Sequence, residues 1–193
     1  RLSIDYIACG LCLLLLLKRL LWGTPSPGSH DPSLLIGRTV ELIGQLQADA
    51  RVFDTSCSAL IDVERIDGRP YRGRTELVLR PCQTPPQQGW RLKLKGALQA
   101  PQPSIYLLVS GPTNRLRRLG SWSQLRADQW HVLHKSWTPV ADARRSIAAR
   151  FQQVAGTQRG GLLAALVLGS AQVQLPAELR EAFRVAGLSH ALA

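Results

Sequence analysis

Arg91, Lys93 and Lys95 occupy alternate positions in the run Trp90-Arg91-Leu92-Lys93-Leu94-Lys95. Successive side chains of an extended strand point to opposite faces, so this spacing puts the three cations on one face and Leu92 and Leu94 on the other. Such a stripe can track a phosphate backbone, with binding that falls steeply as salt rises. Arg69, Arg72 and Arg74 offer further point charges and guanidinium forks near an expected turn at Asp67-Gly68. These six are the candidate nucleic-acid-binding residues. Polar-out strands in an arginine-rich chain also produce such stripes by chance, so the pattern equally describes a solvated face.

Other reactive residue types lead to less. Cys9 and Cys12 have C-x-x-C spacing, which in a cytosolic setting suggests metal or redox chemistry. They lie inside an apolar run, where small packing residues are the simpler reading. Cys57 and Cys82 can pair if their segment is extracytoplasmic, but their spacing does not set their distance. His131 and His134, three apart on a strand, are expected on opposite faces, which argues against joint metal ligation. The chain has no G-x-S-x-G, H-E-x-x-H, phosphate-binding glycine loop or acid pair in a recognisable catalytic motif. No enzyme activity, cofactor or metal site is predicted.

The 193 residues carry 24 Lys and Arg against 13 Asp and Glu, a formal charge of +11, and 45% are hydrophobic. That apolar content supports a real core and argues against disorder. Four cysteines are too few for a disulfide-built scaffold, and 12 prolines without period exclude collagen and long coiled coils. The positive excess predicts attraction to polyanions, either nucleic acid or anionic lipid. Charge concentrates between residues 34 and 138, where 15 basic residues face 8 acids.

The elements that would hold these residues follow from hydrophobic period. Residues 1–23 read as a transmembrane helix: Ile4 to Trp22 would extend about 28 Å, against a hydrocarbon layer of about 30 Å. A buried core helix is the alternative. Residues 24–33, rich in Pro, Ser and Gly, read as a linker. From 34 to 138 the period is two, with Val40, Leu42 and Leu46, Ile61 and Val63, and Leu92 and Leu94 as the inward residues. Asp67-Gly68 suits a two-residue hairpin between strands near Ala59–Ile66 and Arg74–Arg80. Further short strands are expected around Ile105–Val109 and Gln129–Lys135.

Five or six short strands without intervening helical patterns suggest a small OB-like β-barrel. The helix that such barrels often carry between the third and fourth strands has no room in the Pro-rich link 81–89. Exposed aromatics would strengthen a binding role, but Tyr71, Trp90, Tyr106, Trp122, Trp130 and Trp137 are equally core candidates.

Residues 139–193 read as helical. Thr138-Pro139 is a helix start, with a hydroxyl able to cap. Val140, Ala143, Ile147, Phe151 and Val154 form an apolar stripe flanked by Arg144 and Arg150. Leu162–Leu168, apolar all round but too short to span a bilayer, is expected to be buried. Leu175, Leu179 and Phe183 should share a face of a third helix opened by Pro176. The fold class is thus mainly β with flanking helices (α+β), and the chain reads as a piece of something longer.

The run Gly161-Leu162-Leu163-Ala164-Ala165-Leu166-Val167-Leu168-Gly169 precedes Leu175-Pro176-Ala177-Glu178-Leu179-Arg180-Glu181-Ala182-Phe183 and Ala186-Gly187-Leu188-Ser189-His190. This order and spacing resembles the entry to the channel domain of ComEC-type competence proteins. The β-rich part is similar to the OB-like domain that precedes that channel. The resemblance implies an inner-membrane DNA importer acting in natural transformation, with the barrel on the extracytoplasmic face. Its implied partners are DNA bound without regard to sequence, the lipid bilayer, the rest of the channel, other competence proteins and further copies of itself. It also implies that Leu188–Ala193 begins a channel helix. His190 belongs to the motif, yet a lone histidine at a helix start is most simply a packing or capping residue. The alternative role is a membrane-anchored brace for the channel that touches lipid headgroups and not DNA.

Overall fold

A computed structural model describes residues 26–53, 55–103, 111–169 and 177–186. The expected membrane helix with Cys9 and Cys12, the strand around Ile105–Val109 with Tyr106, and the segment holding His190 lie outside the described residues. Among the described residues, no helix is long and apolar enough to cross a membrane.

The strands are β1 (Thr39–Leu46), β2 (Arg51–Phe53), β3 (Ser56–Ile66), β4 (Arg69–Leu79), β5 (Trp90–Gln99) and β6 (Ser121–Lys135). Their alternation fills one core: Val40, Leu42, Ile61, Leu77, Leu94 and Leu125 are among its buried members. The sheet order is β1-β5-β6-β4-β3-β2, and β1 also pairs with β3, so the five long strands close on themselves. Neighbours in the closed ring are antiparallel except β4 and β6, which run parallel. This is a mixed five-stranded OB-like barrel, and among the described strands closure leaves the short β2 as an edge.

Local chemistry explains its turns. Asp67 (φ 48°) and Gly68 (φ 77°) both take the left-handed conformation that a two-residue β3–β4 hairpin needs. Asp67 also accepts the Glu41 N–H at 2.8 Å, tying the hairpin tip to β1. Gly96 sits at an irregularity where β5 crosses β6, and a Cβ there would run into the Arg126 carbonyl.

Several expectations change. The β4–β5 link has no helix, but α1 (Pro112–Arg118) lies between β5 and β6 with Leu116 buried. Strand β6 starts at Ser121 and not near Gln129, because Ser121, Ser123, Leu125 and Ala127 already alternate inward. The buried serines hide this period from a hydrophobicity reading; Ser123 donates to Thr75 Oγ1 at 2.9 Å inside the barrel. The stretch read as a linker ends in packed structure, since Asp31 and Pro32 are buried in and before a 3-10 turn at Pro32–Leu35. Cys57 and Cys82 form a disulfide, with Cα atoms 5.6 Å apart, that pins the β4–β5 link to β3.

Three helices follow: α2 (Pro139–Ala155), α3 (Thr157–Leu168) and α4 (Ala177–Val185). Thr138 precedes α2, but its hydroxyl does not cap the helix. It instead accepts from Arg145 Nη2 at 3.4 Å. Of the expected stripe, Val140, Ala143, Ile147 and Val154 are exposed but Phe151 packs inward against Ala148 and Ala164, and Ala141 and Ala148 are the buried residues of α2. Leu162–Leu168 is not fully buried either: Leu163, Leu166 and Val167 are exposed, and Gly160, Gly161, Ala164 and Ala165 face inward. Leu175 and Pro176 lie outside the described residues, while Leu179 and Phe183 share a face, packed around Ala165.

Among the described residues, Arg145 joins the C-terminal helices to the barrel. Arg145 bridges Asp49, in the β1–β2 loop, at 2.6 Å and also pairs with Asp142 on its own helix. Burial works to lower the Arg145 pKa, but hydrogen bonds and charge from Asp49 and Asp142 outweigh it and leave it raised.

Candidate nucleic-acid interface

The structure places Arg91, Lys93 and Lys95 on the outer face of β5, with Leu92 and Leu94 in the core, as the alternation requires. It also supplies them with carboxylates. Arg91 donates to Glu64 Oε2 through Nε at 2.9 Å and Nη2 at 2.6 Å. Lys93 lies 3.0 Å from Glu41 on the adjacent β1. Lys95 is exposed and has no ion pair among the described residues. Two of the three stripe charges are thus locally balanced.

The second trio sits elsewhere. Strand β4 is separated from β5 by β6 on one side and by β3 and β1 on the other, so the six residues do not form one patch. Arg74 pairs with Asp62 at 3.2 Å and donates to the Leu119 carbonyl at 3.0 Å, which fastens the end of α1 to β4. Arg69 and Arg72 point to solvent without an ion pair among the described residues.

A different surface carries unpaired cations together. Register across the barrel runs Arg51 (β2) to Ser58 (β3), Ser58 to Val78 (β4) and Val78 to Arg126 (β6). All four lie on the outer face, and both arginines are exposed. At about 4.8 Å per strand step, Arg51 and Arg126 stand roughly 14 Å apart with a short, weakly polar floor between them. Phe53, opposite Ser56 and 43% exposed, lies beside this row, and the exposed Arg80 directly follows the end of β4. Arg51, Arg80 and Arg126 make no ion pair among the described residues. Guanidinium groups around an exposed ring can hold phosphates and stack a base.

Below that row the surface is closed by polar pairing. Glu76, nearly buried, accepts from Arg115 Nη2 at 2.6 Å and from Gln124 Nε2 at 2.9 Å, so its charge is matched and α1 is held against β4 and β6. Arg117 covers the ring of Trp122 at 5.4 Å, and Lys135 covers Trp90 at 4.4 Å. Trp90, Trp130 and Tyr71 pack against the core, which leaves Phe53 and Trp137 as the open aromatics among those residues.

The two histidines also differ from expectation. An irregularity between Arg91 and Leu92 inserts one extra residue into β6, so His131 faces Lys93 and His134 faces Arg91. Both therefore belong to outward-facing positions, because the bulge turns a spacing of three into one of two. Cationic neighbours disfavour a metal there, and among the described residues no group of three or more His, Cys, Asp or Glu could hold one.

Sequence reasoning missed Arg51, Phe53 and Arg126. The triplet Arg51-Val52-Phe53 is too short to show a period, and Arg126 was hidden with the first half of β6. The period-two placement of Arg126 between Leu125 and Ala127 was the available signal.

No family model matches the chain, and no curated protein matches it either. Among solved structures it is similar to an aspartyl tRNA synthetase from Entamoeba histolytica, with a TM-score of 0.39 and 10% identity over 86% of this chain and 32% of that one. It is also similar to the OBody AM3L09 bound to hen egg-white lysozyme, with a TM-score of 0.33 and 12% identity over 58% of this chain and 99% of that one. The chain therefore spans about a third of the synthetase's length.

Proposed function

We propose that the barrel binds DNA without reading bases, as the extracytoplasmic part of a ComEC-type importer in the inner membrane. The observation that carries this reading is the outer row of unpaired arginines, Arg51 and Arg126, with the exposed ring of Phe53 beside it and the exposed Arg80 just past the end of β4. Arginine forks grip phosphate oxygens, and a ring stacks on any base, so the two together hold a single strand regardless of sequence. The Cys57–Cys82 disulfide supports an extracytoplasmic location, where thiols stay oxidised. The Gly161–Gly169 and Ala186–His190 motifs support the link to a channel.

The second reading, a brace that contacts lipid without binding DNA, is favoured by the ion pairs that balance Arg91, Lys93 and Arg74. A salt titration of single-stranded oligonucleotide binding by the 193-residue chain separates the two. DNA binding predicts a linear fall of log affinity with log salt, at about 0.7 per phosphate contacted. Binding that is absent at low salt rejects the DNA reading and leaves the brace.

A further inference from the structure

The fully buried contacts between α2 and α3 are made by small residues, and much of the large apolar surface of both helices faces outward. A water-facing hairpin hides its large apolar side chains between the helices. Here the fully buried positions include Ala141, Ala148, Gly160 and Ala164, with Phe151 and Leu168 partly buried against Ala148 and Ala164, and Gly160 lies so close to the Phe151 backbone that a Cβ would collide with its carbonyl. Three other large side chains of α2 point away: Val140 is 66% exposed, Ile147 43% and Val154 90%. Leu163, Leu166 and Val167 do the same on α3. Small residues at the helix contact with large apolar residues outside is the arrangement helices adopt when their surroundings are themselves apolar.

Charge and aromatic placement identify those surroundings. Val140, Ile147 and Val154 recur every seven residues on one face of α2, and the exposed Arg144 and Arg150 flank Ile147 at three positions before and after it. The one acid of α2 and α3, Asp142, is paired to Arg145, and Arg159 adds an exposed cation one turn before Leu163. At the entrance to α2, Trp137 is 83% exposed. Tryptophan and arginine beside an apolar stripe suit the boundary between headgroups and acyl chains, the ring in the boundary and the guanidinium groups on phosphates.

We infer that the outer face of α2, from Trp137 to Val154, seats in the surface of a bilayer containing anionic lipid. The inference stands apart from DNA binding by the barrel, whose arginines lie on other elements. It concerns a helix lying in the interface, since 17 residues of α2 are amphipathic and none of the described helices can span.

The test reads Trp137 itself, so that attachment through any other segment does not obscure it. The 193-residue chain is mixed with vesicles containing brominated phosphatidylglycerol, and quenching is compared with Trp137→Phe to isolate that ring. Seating predicts quenching that Trp137→Phe removes and that weakens when phosphatidylcholine replaces phosphatidylglycerol. Ile147→Ser with Val154→Ser should reduce the apparent affinity of this contact by about tenfold or more, given the apolar area withdrawn. Both positions are exposed, so these variants keep the core, and Arg144→Glu with Arg150→Glu should cost the preference for anionic vesicles. Trp137 that stays unquenched on every vesicle overturns the inference. So does a concentration-dependent dimer that shields Trp137 without lipid.

Discussion

Arg91 directs both Nε and Nη2 at a single oxygen of Glu64, across the intervening strand β1. The guanidinium that heads the most regular basic stripe in the sequence is therefore occupied within the fold. Both partners are roughly two-fifths exposed, so the pair adds little to stability. Its effect is on the field outside the barrel, where the positive charge is cancelled at close range.

Charge reversal should therefore separate two surfaces. Arg51→Glu with Arg126→Glu is expected to lower the salt slope of single-stranded DNA binding by about 1.4, the value for two lost phosphate contacts. Lys93→Glu with Lys95→Glu should change it less, because Lys93 already faces Glu41. Fluorescence anisotropy over a salt series reads both slopes. A larger loss in the Lys93 and Lys95 variant returns the site to β5.

Phe53→Ala tests the ring without changing charge. A stacked base is worth about 1–3 kcal/mol, so affinity for single strands should drop several-fold at constant salt slope. Duplex, whose bases are already stacked, should lose less. Equal loss on both forms would mean Phe53 shapes the loop and does not stack.

The disulfide predicts a redox-dependent stability. Cys57 and Cys82 are 25 residues apart, and closing a loop of that size stabilises a domain by about 2–4 kcal/mol. Cys57→Ala with Cys82→Ala should lower the urea midpoint accordingly, and reductant should no longer affect that variant. An unchanged midpoint would mean the strand pairing around Cys57 already restrains the link.

The junction of helices and barrel predicts coupling between Arg145 and Asp49. Arg145→Ala leaves Asp49, largely buried, without its cation, and should cost about 2 kcal/mol. A double-mutant cycle with Asp49→Ala should show coupling above about 0.5 kcal/mol. The raised pKa of Arg145 sets the direction with pH: its contribution is present below its unfolded value and is lost only as pH climbs through the higher folded one. From the arginine's side the junction is thus insensitive to pH until strongly alkaline solution. Melting the helices independently of the barrel in Arg145→Ala, by circular dichroism, would show that this contact couples them.

Gly96→Ala should be among the costliest single-methyl changes in the barrel, about 2–4 kcal/mol, because the added carbon meets the Arg126 carbonyl where β5 and β6 cross. Gly68→Ala, at a left-handed turn position with open space around it, should cost less. Chemical denaturation ranks the two.

What the residues determined alone is whatever depends on near neighbours in the chain. Alternation placed Leu92 and Leu94 in the core and Arg91, Lys93 and Lys95 outside, since a strand's side-chain direction is set by its own backbone. Asp67-Gly68 specified a hairpin because so few residue types accept left-handed φ. What depended on partners distant in sequence was decided only by the tertiary structure. Whether Arg91 is free rests on Glu64, which is 27 residues away and reaches it only because β1 joins β3 and β5. Arg51 and Arg126 share a surface because β3 and β4 lie between their strands. The facing of His131 and His134 turned on one inserted residue against β5. Val140, Ile147 and Val154 could be recognised as one stripe from their spacing, but not as its outward side. That choice was made when alanines and glycines let α2 and α3 approach closely on the other side, where Phe151 and Leu168 also pack, leaving these three side chains outside.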